Sequence, residues 1–162
     1  MKKMCVVLLS AACGLGVQAQ PMKSPTVDQI VEGLVAPPAP RTRSLRNFAP
    51  QPRSVDLVIQ FDFNSDKIKA ESVPALNNLA EALKSGRLAE QTFKVEGHTD
   101  GVGTAAYNLE LSTKRAAAVY NFLLQKGVDK SKMSFEGKGF SELLVPERPE
   151  AEENRRVRIS TL

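Results

Sequence analysis

The segment Gly97-His98-Thr99-Asp100-Gly101 sets a carboxylate among glycines at the end of a β-rich run, and Arg115 lies on the helical pattern that follows. At 100° per residue, Arg115 shares a helix face with Asn108, Leu111, Ser112, Ala118, Val119, Phe122 and Lys126. Lys126 is terminal and reaches water, whereas Arg115 is flanked by Leu111, Ala118 and Val119. Stripping a buried ion of its partner costs about 3–5 kcal/mol, so Arg115 needs an anion. Asp100 is the nearest candidate in the chain. Two arrangements satisfy both charges. The pair can lock the loop onto the helix, or the two can line a pocket for a small ligand bearing an ammonium and a carboxylate, the guanidinium gripping the carboxylate as a fork. Spacing alone leaves both open. Gly101 and Gly103 sharpen the loop and free backbone N–H groups for an anion. Asn108 supplies an amide for the same rim, as does Asn64 in the turn after the first strand if the strands are parallel.

Other chemistries find little support. His98 is the only histidine, so neither a zinc site nor a catalytic dyad is expected, and its expected role is a strand-end hydrogen bond to the loop. Ser112 lacks a nucleophile elbow and sits within a helix. Glu96 and Glu136 fall in strands as framework charges, and Gly137-Lys138-Gly139 lacks the spacing of a phosphate loop. No catalytic set and no cofactor is expected.

The elements that must position these residues follow from periodicity. Val55 to Phe63 reads as a strand and Asn64-Ser65-Asp66 as a turn. Leu76, Leu79, Ala80 and Leu83 mark a helix over 72–85, which Gly86 can stop. Residues 92–98 form a second strand, 105–126 a second helix, and 131–137 a third strand with Met133 and Phe135 inward. A polar excursion over 138–153 precedes a last strand at 156–161. The order β-α-β-α-β-β gives an α+β, two-layer sandwich with a mixed four-stranded sheet and helices on one face. Right-handed crossovers set strands one and two side by side or one apart, their carboxyl-end loops on one rim.

The first 19 residues carry Lys2 and Lys3, an apolar run, and Val17-Gln18-Ala19 before Gln20, the pattern of a secretory signal peptide. Both cysteines, Cys5 and Cys13, fall inside it, so cleavage after Ala19 leaves no thiol; lipidation at Cys13 is the rival reading. Residues 20–54 are rich in proline and arginine and read as a solvated linker arm, within which Ile30, Val31 and Leu34 could form a short helix on a partner. The formal charge of +4 falls to +2 without Lys2 and Lys3, with +3 on residues 20–54 and −1 on the remainder. The basic balance therefore sits on the arm, and no nucleic-acid-binding face is expected.

Several linked motifs over residues 55–162 resemble the OmpA-like C-terminal domain family. They are Phe61-Asp62-Phe63-Asn64-Ser65, Val95-Glu96-Gly97-His98-Thr99-Asp100-Gly101, Asn108, Leu111-Ser112 with Arg115-Ala116, Gly137 with Gly139, and Asn154-Arg155-Arg156-Val157. The resemblance implies a non-enzymatic periplasmic module that binds peptidoglycan noncovalently, through stem-peptide diaminopimelate, in the Gram-negative envelope, at the cell wall or outer membrane. By motif position Asp100 takes the ligand's ammonium and Arg115 its carboxylate, with Asn64 and Asn108 as supporting contacts. Arg156 is carried over as a further contact that can instead brace the sheet. The resemblance also leaves open an adaptor role, in which the arm docks an envelope protein. A wall hydrolase is disfavoured by the missing acid/base and metal sets. Unlike the best-known members, this sequence shows no β-barrel before the domain, and its 138–153 loop carries five glutamates, Glu142, Glu147, Glu150, Glu152 and Glu153.

Overall fold

The computed structural model describes residues 20–35 and 52–162. The signal-peptide segment with Cys5 and Cys13, and residues 36–51 of the arm, lie outside the described residues. The elements run α1 (Val27–Leu34), β1 (Ser54–Leu57), α2 (Val73–Lys84), β2 (Phe93–His98), α3 (Ala105–Gln125), β3 (Met133–Gly139) and β4 (Val157–Thr161). One sheet has the order β1-β4-β2-β3, with β2 and β3 parallel and β4 antiparallel to both β1 and β2. β1 and β2 are therefore parallel with β4 between them, so the loops after both open on one rim.

Strand alternation divides the sheet by chemistry. Val55, Val95 and Ile159 lie in register on the helix face and join Phe93, Leu76, Leu79, Val119 and Leu123 in the core. The opposite face carries Asp56, Lys94, Glu96, Glu136, Lys138 and Arg158, linked by ion pairs. Phe135, expected inward, is 43% exposed because β3 is an edge strand; its ring leans on Tyr120 with centroids 5.1 Å apart. Among the described residues no helix is long and apolar enough to cross a membrane.

Two glycines bring α3 close to the sheet. A Cβ at Gly97 would collide with the Ser112 carbonyl, and one at Gly137 with the Thr113 backbone and hydroxyl. Small residues face them, so Ser112 and Ala116 are fully buried beside Val119 and Leu123. The Ser112 hydroxyl donates to the Leu109 carbonyl (2.9 Å) and accepts from the Gly139 N–H (2.8 Å), joining helix to β3. The contact face is thus narrower than the expected stripe. Leu111 and Arg115 fall on its half-buried border, while Tyr120 and Leu123 occupy the buried line.

Two local expectations are corrected. The first strand ends at Leu57, not Phe63, and Phe61 pairs instead with Ile68 across a small hairpin. Asp62 N–H donates to the Lys67 carbonyl at 2.9 Å, and Asn64 sits at the tip with φ 51°, a left-handed conformation that asparagine tolerates. Residues 20–35, read as solvated linker, instead fold onto the domain. Thr26 and Gln29 form a reciprocal capping box that starts α1. Its apolar side then buries Ile30, Val31 and Leu34 against α2 and β1. Met22 donates its N–H to Asp56 (2.8 Å) and accepts from Val58 (2.9 Å), covering the outer edge of β1. Proline content argued for extension; three apolar side chains and a sheet edge requiring partners outweighed it.

This packing sets an expectation. Leu34→Ala should lower the unfolding free energy by about 2–5 kcal/mol, the range for a truncated core leucine. Urea denaturation measures it, and an unchanged midpoint would mean that α1 does not pack on the domain in solution.

Candidate ligand-binding site

β2 ends at His98, and the chain crosses the rim through residues 99–104 before Thr104 caps α3 by accepting the Tyr107 N–H at 3.3 Å. The crossing loop is pinned at each step. Thr99 N–H donates to the Gly139 carbonyl and Gly101 N–H to the Pro149 carbonyl, both at 2.8 Å. Val102 N–H returns to Asp100 Oδ1 at 3.2 Å. The Gly101 N–H, expected to be free for an anion, is therefore already committed.

Asp100 and Arg115 line the same cleft of ≈ 690 Å³, together with Asn64, Asn108, Tyr107 and Arg155. They do not form the direct lock that spacing left open. Arg115 donates its Nε to the Ser65 carbonyl at 3.1 Å and stacks over the Phe61 ring, 4.9 Å from the centroid, a cation–π contact worth about 0.5–2 kcal/mol. Burial pushes the Arg115 pKa down; the nearby Arg155 charge adds to this, while Tyr107 and Asp100 oppose it. The guanidinium stays charged, because arginine does not lose its proton under physiological conditions.

Asp100 is held by Arg155, whose Nη1 donates to Oδ2 at 2.9 Å. Arg155 is the residue that sequence reasoning missed. β4 runs antiparallel to β2 and begins where β2 ends, with Val157 opposite Gly97. The lead-in to β4 therefore meets the loop just after β2, and Arg155, two residues before the strand, reaches Asp100. Without the strand order, nothing marks Arg155 out from Arg156.

Arg156, carried over as a ligand contact, does not line the cleft. It is 3% exposed, and its Nε donates to Asp56 Oδ1 at 3.0 Å. Its Nη1 and Nη2 donate to the Asn154 and Glu142 carbonyls at 3.3 and 3.0 Å. Arg158 adds two donors to Asp56, at 3.0 and 3.2 Å. Arg156 thus braces β4 against β1, because burial leaves every donor needing an acceptor within the protein.

The two asparagines divide their roles. Asn108 is 2% exposed and spends its Nδ2 on the Val102 and Thr104 carbonyls at 2.8 and 3.2 Å, so it holds the loop and leaves only Oδ1 uncommitted. Asn64 is exposed at the hairpin tip, where its Oδ1 accepts from the Tyr107 hydroxyl, leaving Nδ2 for the cleft. Asn154, fully buried, accepts from Val145 N–H and donates to the Arg148 and Pro149 carbonyls, so it shapes the acidic excursion beside Arg155. Among the described residues, no group of three His, Cys, Asp or Glu side chains converges as a metal site.

His98 departs from its expected role. It is 2% exposed, and both ring nitrogens lack a hydrogen-bond partner, although its backbone N–H donates to the Arg156 carbonyl at 2.9 Å. Burial, reinforced by Arg156, Arg158 and Lys138, lowers its pKa from 6.5 to about 3. The ring is neutral in the folded protein and adds no charge to the rim.

The fold and rim define an α+β module with a mixed four-stranded sheet and a charged cleft at one edge. Residues 60–157 match the model of the OmpA family, and the chain belongs to that family. It is 39% identical over 79 residues to outer membrane protein A of Bordetella avium, a match covering 49% of this chain and 40% of that protein. It is 42% identical over 88 residues to outer membrane porin F of Pseudomonas aeruginosa, covering 54% of this chain and 25% of the porin. The chain thus spans less than half of either relative. Among solved structures, the peptidoglycan-associated lipoprotein of Burkholderia pseudomallei is similar at 30% identity and a TM-score of 0.53, covering 68% of this chain and 88% of that one.

The His98 environment makes stability depend on pH. The unfolded histidine binds a proton below about 6.5 and the folded one only near 3, so its contribution is complete above pH 6.5 and is lost as pH falls. The slope from this residue approaches about 1.4 kcal/mol per pH unit between those values. His98→Leu should flatten the difference in stability between pH 7 and pH 5 measured by urea denaturation; equal slopes for both proteins would mean that the folded histidine titrates normally.

Proposed function

We propose that this chain is a noncovalent peptidoglycan-binding module that works outside the cytoplasm at the cell wall, and that its cleft takes the diaminopimelate of the stem peptide. One observation carries the reading: Asp100 and Arg115, of opposite sign, line one cleft without neutralising one another. A ligand with an ammonium and a carboxylate on one carbon matches that pair of charges. The Arg115 Nη1 and Nη2, uncommitted among the described residues, form the fork for its carboxylate.

Asp100 has one oxygen on Val102 N–H and the other on Arg155, and each oxygen keeps a lone pair for an ammonium. Arg155 orients the acid and does not replace the ligand, since it is itself 43% exposed and pays little to be solvated. Asn64 Nδ2 reaches peptide carbonyls from the hairpin tip, and Asn108 keeps the loop in shape. Each role is binding or positioning, and none requires a bond to be made or broken.

The adaptor reading needs the arm to be available to a partner. The burial of Ile30, Val31 and Leu34 against the arm's own domain weighs against that for residues 20–35.

Co-sedimentation with purified sacculi tests the proposal. Asp100→Ala and Arg115→Ala should each weaken retention by about ten- to a hundredfold, the loss of one charge-assisted contact. Retention equal to wild type in both variants would remove the proposed site.

A further inference from the structure

A second cavity of ≈ 240 Å³ adjoins the cleft and shares three of its lining residues, Phe61, Arg115 and Arg155. Its remaining polar lining includes Lys69, Gln60 and Glu152. The two arginines therefore border both hollows, and Arg115 lies over the Phe61 ring.

The charge count of this cavity is unbalanced. Three cationic side chains line it against one acid, Glu152, which pairs with none of them; Asp100 compensates Arg155 from the cleft side, so Arg115 and Lys69 are left without an acid partner among the described residues. Each cation also holds donors in reserve among the described residues. Arg115 uses only Nε, Arg155 uses only Nη1, and the Lys69 ammonium has no partner. Burial lowers the Arg115 pKa and the neighbouring Arg155 charge adds to this, so the two guanidiniums lie within electrostatic reach of one another along the shared wall. Like charges gathered around a concave wall, with unspent donors, favour an anion between them. The single anion that the Proposed function assigns to Arg115 enters from the cleft side and leaves Lys69 unused.

We propose that this second cavity is an anion subsite that takes a further carboxylate of the same peptide ligand, the α-carboxylate of the γ-linked glutamate next to diaminopimelate. This inference rests on the peptidoglycan reading and extends it. The module then distinguishes a stem peptide with a free glutamate carboxylate from one in which that group is amidated. Arg115 and Arg155 serve both hollows, whereas Lys69 serves the second alone, which makes it the residue to test. Its backbone N–H donates to the Gln60 carbonyl at 2.9 Å and survives any side-chain substitution.

The experiment measures binding of three probes by the whole protein and by Lys69→Gln: free meso-diaminopimelate, the tripeptide L-Ala-γ-D-Glu-meso-diaminopimelate, and that tripeptide with its glutamate α-carboxylate amidated. Amidation should weaken the wild type roughly fivefold, the scale of one partly exposed ion pair. Lys69→Gln should bind the free-acid tripeptide about as weakly as wild type binds the amide, with no change for free diaminopimelate. Wild type that binds both tripeptides equally overturns the subsite while leaving the cleft assignment standing. A Lys69→Gln loss that is equal for all three probes overturns it too, because it marks general attraction. Wild type that binds none of the probes removes the peptidoglycan reading and this inference together.

Discussion

The seating of α3 directly on the backbone of β2 and β3 sets everything at the rim. Gly97 and Gly137 leave no side chain under the helix, and Ser112 and Ala116 fill the gap they leave. Close packing of this kind tolerates little displacement, since an added methyl has nowhere to go. Arg115 follows Ser112 by less than one turn, so its position over the end of β2 is inherited from that contact. The helix also begins where the β2 loop ends, which keeps Asp100 and Arg115 on one wall.

β4 performs the complementary task from the other side. Its lead-in Asn154-Arg155-Arg156 meets three neighbours in turn: the excursion loop, Asp100 and Asp56. Three consecutive polar residues thus shape the acidic loop, orient the candidate ligand-binding acid, and join β4 to β1. The buried Arg156–Asp56 contact adds less to stability than to register, because desolvation offsets most of its attraction. What it secures is the alignment of β4 with β1, and with it the placement of Arg155.

Much of this was legible in the chain. The apolar periods of α2, α3, β2 and β4 survive in the structure within a few residues, because each has one buried face whose spacing only one secondary structure can satisfy. The two-layer architecture followed from their order. Less visible was the end of β1, where Val58 and Ile59 continue an apolar run that is sheet-like in composition but no longer pairs with β4. The fate of residues 20–35 was hidden for a related reason. Proline density describes the average stiffness of a segment, not whether three of its side chains will find a core.

The charged residues draw the same line more sharply. Residue types and spacing single out Asp100, Arg115, Asn64 and Asn108, but Asn64 shares their rim only because β1 and β2 are parallel, which strand pairing decides. Which cation holds Asp100, whether Asn108 faces outward or inward, and what Arg156 does were decided only in three dimensions. Local chemistry says that a guanidinium needs an acceptor; strand order says which acceptor is within reach. That order depends on long-range pairing across many residues, and no local pattern encodes it.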